Sequence, residues 1–270
     1  MIAVMIAGAT AGILSLLVTR ALISAFRTRG LGQPILGRED HGPEHHMAKQ
    51  GTPTMGGIAI VLAAFIGWLV AHVRRGLPFS DQAIIVWVGV LAMAFMGFLD
   101  DFIKVRKRHN RGIFWKQKNY VTMLMSFGLA WWLVGATGIA EQISLTRAGD
   151  LGFEVPPAVW VVWAGIIIWA TTNAVNVTDG LDGLAGGSAL MGFGAFMIIG
   201  YWGFRNPEIY DVEHALDLAV VAAAMLGGCT GFLWWNAHPA RIFMGDTGSL
   251  AIGAGLAGRR SRSTRRCSCR

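Results

Sequence analysis

Charge is scarce in this sequence. Only 14% of its 270 residues are Asp, Glu, Lys or Arg, where an ordinary soluble domain carries about a quarter. The deficit excludes a water-soluble globular domain, because 54% of the residues are apolar and most of that surface has to be covered by lipid. Cysteine is nearly as rare. Cys229, Cys267 and Cys269 form neither a disulfide framework nor a metal-ligand spacing, so the redox compartment is not written in them. A cleavable signal peptide is also missing. Nothing positive precedes the first apolar run, the run is too long for such a segment, and no cleavage-like stretch follows it, so it is expected to stay as an anchor.

What is present in quantity is apolar sequence in runs approaching the about 20 residues that a bilayer demands. They lie at Ile2 to Phe26, Met55 to Val73, Ala83 to Leu99, Val121 to Ala140, Ala158 to Ala170, Leu184 to Phe204 and Ala215 to Trp235. The fold class expected is therefore all-α, a polytopic membrane bundle of seven spans, one of them short, with a partial eighth beginning near Ser249. Gly8 and Gly12 form a small-xxx-small pair that lets two helices approach closely.

With the N-terminus outside, the inside loops (27–54, 100–118, 171–183 and 236–248) hold twelve Lys and Arg, while the outside loops hold four: Arg74, Arg75, Arg147 and Arg205. The positive-inside rule then places the first set in the cytoplasm. The same distribution accounts for the net charge of +7 as loop anchors and removes the case for nucleic-acid binding.

Each inside loop carries an unusual polar string, and none of the outside loops does. Asp100 and Asp101 follow directly on an apolar run, and ionisable groups at membrane depth are functional candidates by default. If the helix continues through them they point about 100° apart, which suits two tasks better than joint chelation; the alternative is an acidic helix end beside Lys104 and Arg106. Asp246, in Met-Gly-Asp-Thr-Gly-Ser over 244–249, heads the next apolar run. It suits a hard divalent cation, which needs one or two protein carboxylates, or else a helix N-cap. Asn173, Asn176, Asp179 and Asp182 recur at spacing three in a stretch free of Lys and Arg. Such amides and carboxylates can read a nucleobase edge and sugar hydroxyls, and capping accounts for only one Asn and one Asp. Lys49 precedes a Gly and Thr stretch, 51–57, whose backbone amides at a helix start, with one ammonium, suit a pyrophosphate. This is not a Walker loop, because the Lys comes before the glycines. His41, His45 and His46 supply no open tetrahedral zinc set. Gly253-Ala-Gly255-Leu-Ala-Gly258 matches a dinucleotide fingerprint but lies in an apolar segment with no strand before it, and reads as helix packing.

Together these strings resemble the bacterial phospho-N-acetylmuramoyl-pentapeptide transferases. The likeness rests on residues 42–57, on Phe-Leu-Asp-Asp-Phe at 98–102, on 173–185 and on Phe-Met-Gly-Asp-Thr-Gly-Ser at 243–249, in the expected order. The wider superfamily of sugar-phosphate transferases acting on polyprenyl phosphate shares the Asp pair and the Asn-to-Asp string, but lacks the 51–57 stretch. The resemblance implies ten transmembrane helices, a UDP-N-acetylmuramoyl-pentapeptide donor, an undecaprenyl phosphate acceptor, Mg²⁺, release of UMP, and a place in peptidoglycan synthesis at the cytoplasmic side of the bacterial cell membrane. It allows a homodimer. It further implies that Asp246 is the metal-binding acid, that Asp100 and Asp101 are catalytic carboxylates, and that Asp182 and Phe243 belong to a uridine pocket. Lys49, Asn173, Asn176, Asp179 and Asn236 match further substrate-binding positions.

The expected domain runs over residues 1–258. Residues 259–270 carry six arginines and resemble nothing in the family, as a shifted reading frame or a truncated gene would produce. Only about ten apolar residues precede them, half of what a span requires, so the expectation is insertion of seven spans and no activity for the chain as given. The family's reaction is either direct attack by the lipid phosphate or passage through a phospho-aspartyl intermediate. A transporter is the rival class, and it would place its acids near mid-span, often with repeats, whereas these acids gather at one side.

Overall fold

The computed structural model describes residues 1–28, 51–73, 77–107, 112–137, 142–143, 153–154, 156–210 and 215–257. Lys49, the three loop histidines and the 258–270 tail lie outside the described residues. Nine helices occur among those described: α1 (Ile2–Thr28), α2 (Gly57–His72), α3 (Asp81–Lys107), α4 (Trp115–Thr137), α5 (Pro157–Thr178), α6 (Leu184–Arg205), α7 (Pro207–Tyr210), α8 (Ala215–Asn236) and α9 (Gly245–Ala257). The architecture is all-α apart from one hairpin. There β1 (Gln142–Ile143) and β2 (Phe153–Glu154) pair antiparallel, with Gln142 opposite Glu154. Neither the hairpin nor α7 carries a sequence signal strong enough to have been expected.

Helices α1, α3, α5, α6 and α8 are long and apolar enough to cross a membrane. At 16 residues α2 is apolar but shorter than a full span. The 23-residue α4 is long enough but falls outside that apolar set, so two of the seven expected spans are the weaker ones. This is a multi-pass membrane protein.

Helix α8 is the most enclosed of the long helices and packs on α1, α2 and α6, while α9 packs on α3 and α5. Small residues set these approaches. Gly8 and Gly12 of α1 face Gly227 and Gly231 of α8, and a β-carbon on either α8 glycine would run into α1 backbone. The Gly253 face of α9 meets the backbone of Thr172 on α5 in the same way, which makes the apparent dinucleotide fingerprint a packing surface. Such contacts substitute dispersion for hydrophobic drive, which is weak between helices in lipid.

Buried polar groups pin the bundle at the end where α2 finishes and α3 begins. Asp217, in the first turn of α8 and 1% exposed, accepts hydrogen bonds from the Trp68 indole (2.8 Å) and from the backbone and hydroxyl of Ser80 (2.9 and 2.7 Å). His72 Nε2 stands 3.3 Å from the same carboxylate, with its ring stacked on Phe79. One carboxylate thus ties the end of α2 and the segment leading into α3 to the start of α8, where a negative charge also suits the helix dipole.

Candidate active site

At the opposite end of α3, Asp100 and Asp101 are 2% and 3% exposed. The helix continues through them, so the two carboxylates diverge as the geometry of adjacent helical residues requires. Asp100 accepts from the Ile113 amide at 2.6 Å through one oxygen, and its other oxygen lies 2.6 Å from Lys104 Nζ. Gly112 packs so tightly on Asp100 that a β-carbon there would strike the carboxylate, so the chain after α3 folds back over it. Asp101 turns to α9. It accepts from the Asp246 amide (3.2 Å) and from the amide and hydroxyl of Thr247 (3.0 and 2.8 Å).

Asp246, in the first turn of α9, completes the cluster. Lys104 Nζ approaches its Oδ2 at 2.5 Å and Lys118 Nζ at 2.8 Å, while the Asn176 amide donates to its Oδ1 at 2.6 Å and to Ser249 Oγ at 2.9 Å. Four elements, α3, α4, α5 and α9, therefore meet at one carboxylate. One oxygen from each of Asp100, Asp101 and Asp246 lies within 4.8 Å of the others. These are hard oxygen donors of the kind a divalent cation takes, and the two lysine ammoniums converge on the same negative centre. The residues present fit such an ion.

Asp179 caps the C-terminus of α5 beside this cluster. Burial pushes its carboxyl up to about 8, the negative charges of Asp246 and Asp101 push in the same direction, and the Gly245 amide that donates to it pulls back. Asn173 does not turn toward the acids by any hydrogen bond seen here. Its amide donates to Trp169 O on its own helix at 2.8 Å.

The remaining expected residues form a second network in the loops. Asp182 accepts from the Ala240 amide at 3.3 Å and faces His238 Nδ1 at 3.2 Å. Asn236 accepts from the Gly183 amide at 3.0 Å and donates to Ile242 O at 2.9 Å, which ties the loop after α5 to the loop after α8. Phe243 is held by its backbone. Its amide donates to Pro53 O (2.8 Å), while Gly56 N donates to Phe243 O and Gly57 N to Met244 O, each at 2.9 Å. Those two glycine amides are therefore committed to the loop before α9, and the phosphate-cradling role expected of the 51–57 stretch does not fall to them. What the glycines supply is clearance, since a β-carbon on Gly57 would collide with the Gly248 backbone.

Four contributors escaped the sequence reading, the first being Lys104, which counted only as a neighbour of an acidic helix end although it grips Asp100 and Asp246. Lys118 counted only as a basic loop residue, although it reaches Asp246 from the first turn of α4; Thr247 was read only as part of a motif, and His238 carried no signal at all.

Comparison with known proteins agrees with this picture. Residues 83–260 match the model of Glycosyl transferase family 4, and residues 49–61 match phospho-N-acetylmuramoyl-pentapeptide-transferase signature 1. The chain is 44% identical to a phospho-N-acetylmuramoyl-pentapeptide-transferase of Frankia alni, over 94% of this chain and 74% of that protein. It is 44% identical to one of Mycobacteroides abscessus (94% and 75%) and 42% identical to one of Streptomyces griseus (94% and 75%).

Proposed function

This chain belongs to the phospho-N-acetylmuramoyl-pentapeptide transferases, and from that premise we propose that the acid and lysine cluster is where it handles its phosphates. The enzyme transfers phospho-N-acetylmuramoyl-pentapeptide from a nucleotide carrier to a polyprenyl phosphate in the membrane, a step of peptidoglycan synthesis. Its partners are accordingly a nucleotide-sugar-peptide substrate, a lipid carrier and the bilayer itself. In our reading the donor is the UDP derivative, the acceptor is undecaprenyl phosphate and the cation is Mg²⁺. Residues 1–258 act as one membrane domain, with the site on the cytoplasmic side and a second copy as partner. The three-to-one excess of Lys and Arg in the loops on the acid side supports that orientation.

An oxygen of the lipid phosphate attacks the sugar-linked phosphorus, a new phosphorus–oxygen bond forms, and the bond to the bridging oxygen breaks as UMP leaves with the electron pair. When bound, the cation neutralises charge building on the pyrophosphate. Asp246 would hold it. Asn176 fixes one oxygen of Asp246 while Lys104 and Lys118 pair with the other, and the two ammoniums supply positive charge where the transferring phosphoryl group becomes more negative. Asp100 is buried enough to be kept from bulk water and faces the lysines, which suits it to orient or deprotonate the acceptor phosphate. Lys49 adds charge to the pyrophosphate. Asn173, Asp179, Asp182, Asn236 and Phe243 shape the nucleotide pocket, the network joining Asp182 and Asn236 serving to hold its two loops together.

The observation that carries this reading is the meeting of Asp100, Asp246, Lys104 and Lys118 within hydrogen-bond or ion-pair reach. The test is Asp246→Asn in a full-length version of the enzyme, assayed by transfer of radiolabelled nucleotide sugar to lipid across a magnesium titration. Transfer should be lost while the melting temperature holds. Normal magnesium-dependent transfer would remove the metal assignment.

A further inference from the structure

We infer that Asp101 is a positioning residue, which caps the N-terminus of α9 from a neighbouring helix and so sets the direction of Asp246; this rests on the proposal that Asp246 holds the cation. The first amides of any helix lack partners within it. They are usually met by the side chain of the residue just before the helix. Here that service is missing locally, because α9 opens on Gly245, which has no side chain, and Met244 before it offers only a thioether, a weak acceptor. Asp101 fills the gap from α3. Its Oδ1 takes the Asp246 amide and its Oδ2 takes both the amide and the hydroxyl of Thr247.

The surroundings are built around this contact. Gly97, one turn earlier on α3, has no β-carbon to hold α9 away, and the place of a β-carbon on Gly97 is already filled by Asp246 O and Thr247 N. Gly245 has φ +75°, a left-handed conformation that favours glycine, and the space beside its α-carbon is filled by Asp101 Oδ2 and Thr54 Oγ1. By contrast the lysine that grips Asp100 and Asp246 at 2.6 and 2.5 Å comes only within 4.0 Å of Asp101. The adjacent acids therefore divide the work. Asp100 faces the cations, and Asp101 is spent on three donors that orient the residue bearing the metal-binding carboxylate.

The test uses the purified chain in lipid nanodiscs with Asp101→Asn, Thr247→Val, Thr247→Ser and the Asp101→Asn/Thr247→Val double variant. Amide exchange over 246–249 is followed by mass spectrometry without divalent cation, so it reports the cap whether or not the acids bind metal. Loss of a capping acceptor should speed exchange about fivefold to tenfold in Asp101→Asn and less in Thr247→Val, with Thr247→Ser as wild type. Mn²⁺ binding, read by electron paramagnetic resonance, should weaken in both single variants and no further in the double variant, the mark of two residues acting through one contact. Unchanged exchange in Asp101→Asn overturns the inference, as does loss of Mn²⁺ by Asp101→Asn alone with Thr247→Val indistinguishable from wild type, which would make Asp101 a ligand. Should Asp101→Asn not fold, the Thr247→Val and Thr247→Ser pair decides the matter. A wild-type chain that binds no Mn²⁺ refutes the metal role of Asp246, while the exchange arm still judges the cap.

Discussion

Introduced in a full-length version of the enzyme, Gly97→Ala adds one methyl group, carries no chemistry, and should nearly abolish transfer. Two effects on stability oppose each other. Alanine in a helix interior is favoured over glycine by about 1 kcal/mol, while overpacking a tight contact costs about 1–3 kcal/mol. The net change should therefore be a loss of no more than about 2 kcal/mol. The effect on the site is not so balanced. The new β-carbon would lie 2.6 Å from Thr247 N and closer still to Asp246 O, where ordinary contact begins at 3.4 Å. Helix α9 must retreat by roughly 1 Å, and displacement of that size at a reacting centre costs on the order of 100-fold in rate. Transfer of labelled nucleotide sugar to polyprenyl phosphate should fall accordingly, while detergent melting shows a folded protein and Mn²⁺ binding weakens. Gly128→Ala on α4 is the control, since nothing lies within 4 Å of a β-carbon there, and it should leave transfer unchanged. Gly97→Ala with more than about a third of wild-type transfer would refute the claim that this approach sets the acid geometry.

Two further predictions, again for a full-length version of the enzyme, concern acids outside the Asp100, Asp101 and Asp246 cluster. Asp217→Ala should lower stability by about 2–4 kcal/mol, because it strands the Trp68 indole and both Ser80 donors in a buried place; with the acids about 30 Å away along α3, transfer per folded molecule should persist, and a selective loss of transfer without a melting change would contradict that separation. For Asp179, the carboxyl sits at about 8 when folded against 3.8 for the ordinary group. The folded state holds that proton more tightly, so the group's contribution is fully present below pH 3.8 and is lost as pH rises through about 8. Metal-free Asp179→Asn should therefore match wild type in acid and melt progressively higher than wild type toward pH 8, and parallel melting curves across that range would count against the burial of its charge.

Much of this molecule can be read from its residues because the bilayer imposes a length and a composition on each span. The runs opening at Ile2, Leu184 and Ala215 appear as helices beginning at those same residues. The acids could be found because membrane depth makes each carboxylate conspicuous. Their division of labour could not, since Asp100 and Asp101 are identical in type and adjacent, and only the approach of α9 distinguishes them. Lys118 escaped for a related reason, as one lysine among several in a basic loop gives no sign of which carboxylate it will meet. Asn236 and Asp182 were expected at the substrate, and the hydrogen bonds they make are largely to loop backbone, a use that spacing cannot reveal.

The hydrogen bonds between Pro53, Gly56 and Gly57 on one side and Phe243 and Met244 on the other have a consequence for how the protein is made. Gly57 and Met244 lie 187 positions apart in a chain of 270. At about 5–20 residues per second, a ribosome that has released Gly57 needs roughly 10–40 seconds more to reach Met244. As α2, α3 and α4 are made in that interval, Gly56 and Gly57 at the head of α2 and Asp101 on α3 still lack the Phe243, Met244, Asp246 and Thr247 groups that they meet in the finished fold. Closure of the active site is accordingly a late event of biosynthesis, set by the arrival of α9 and not by the insertion of the helices that bear most of its residues.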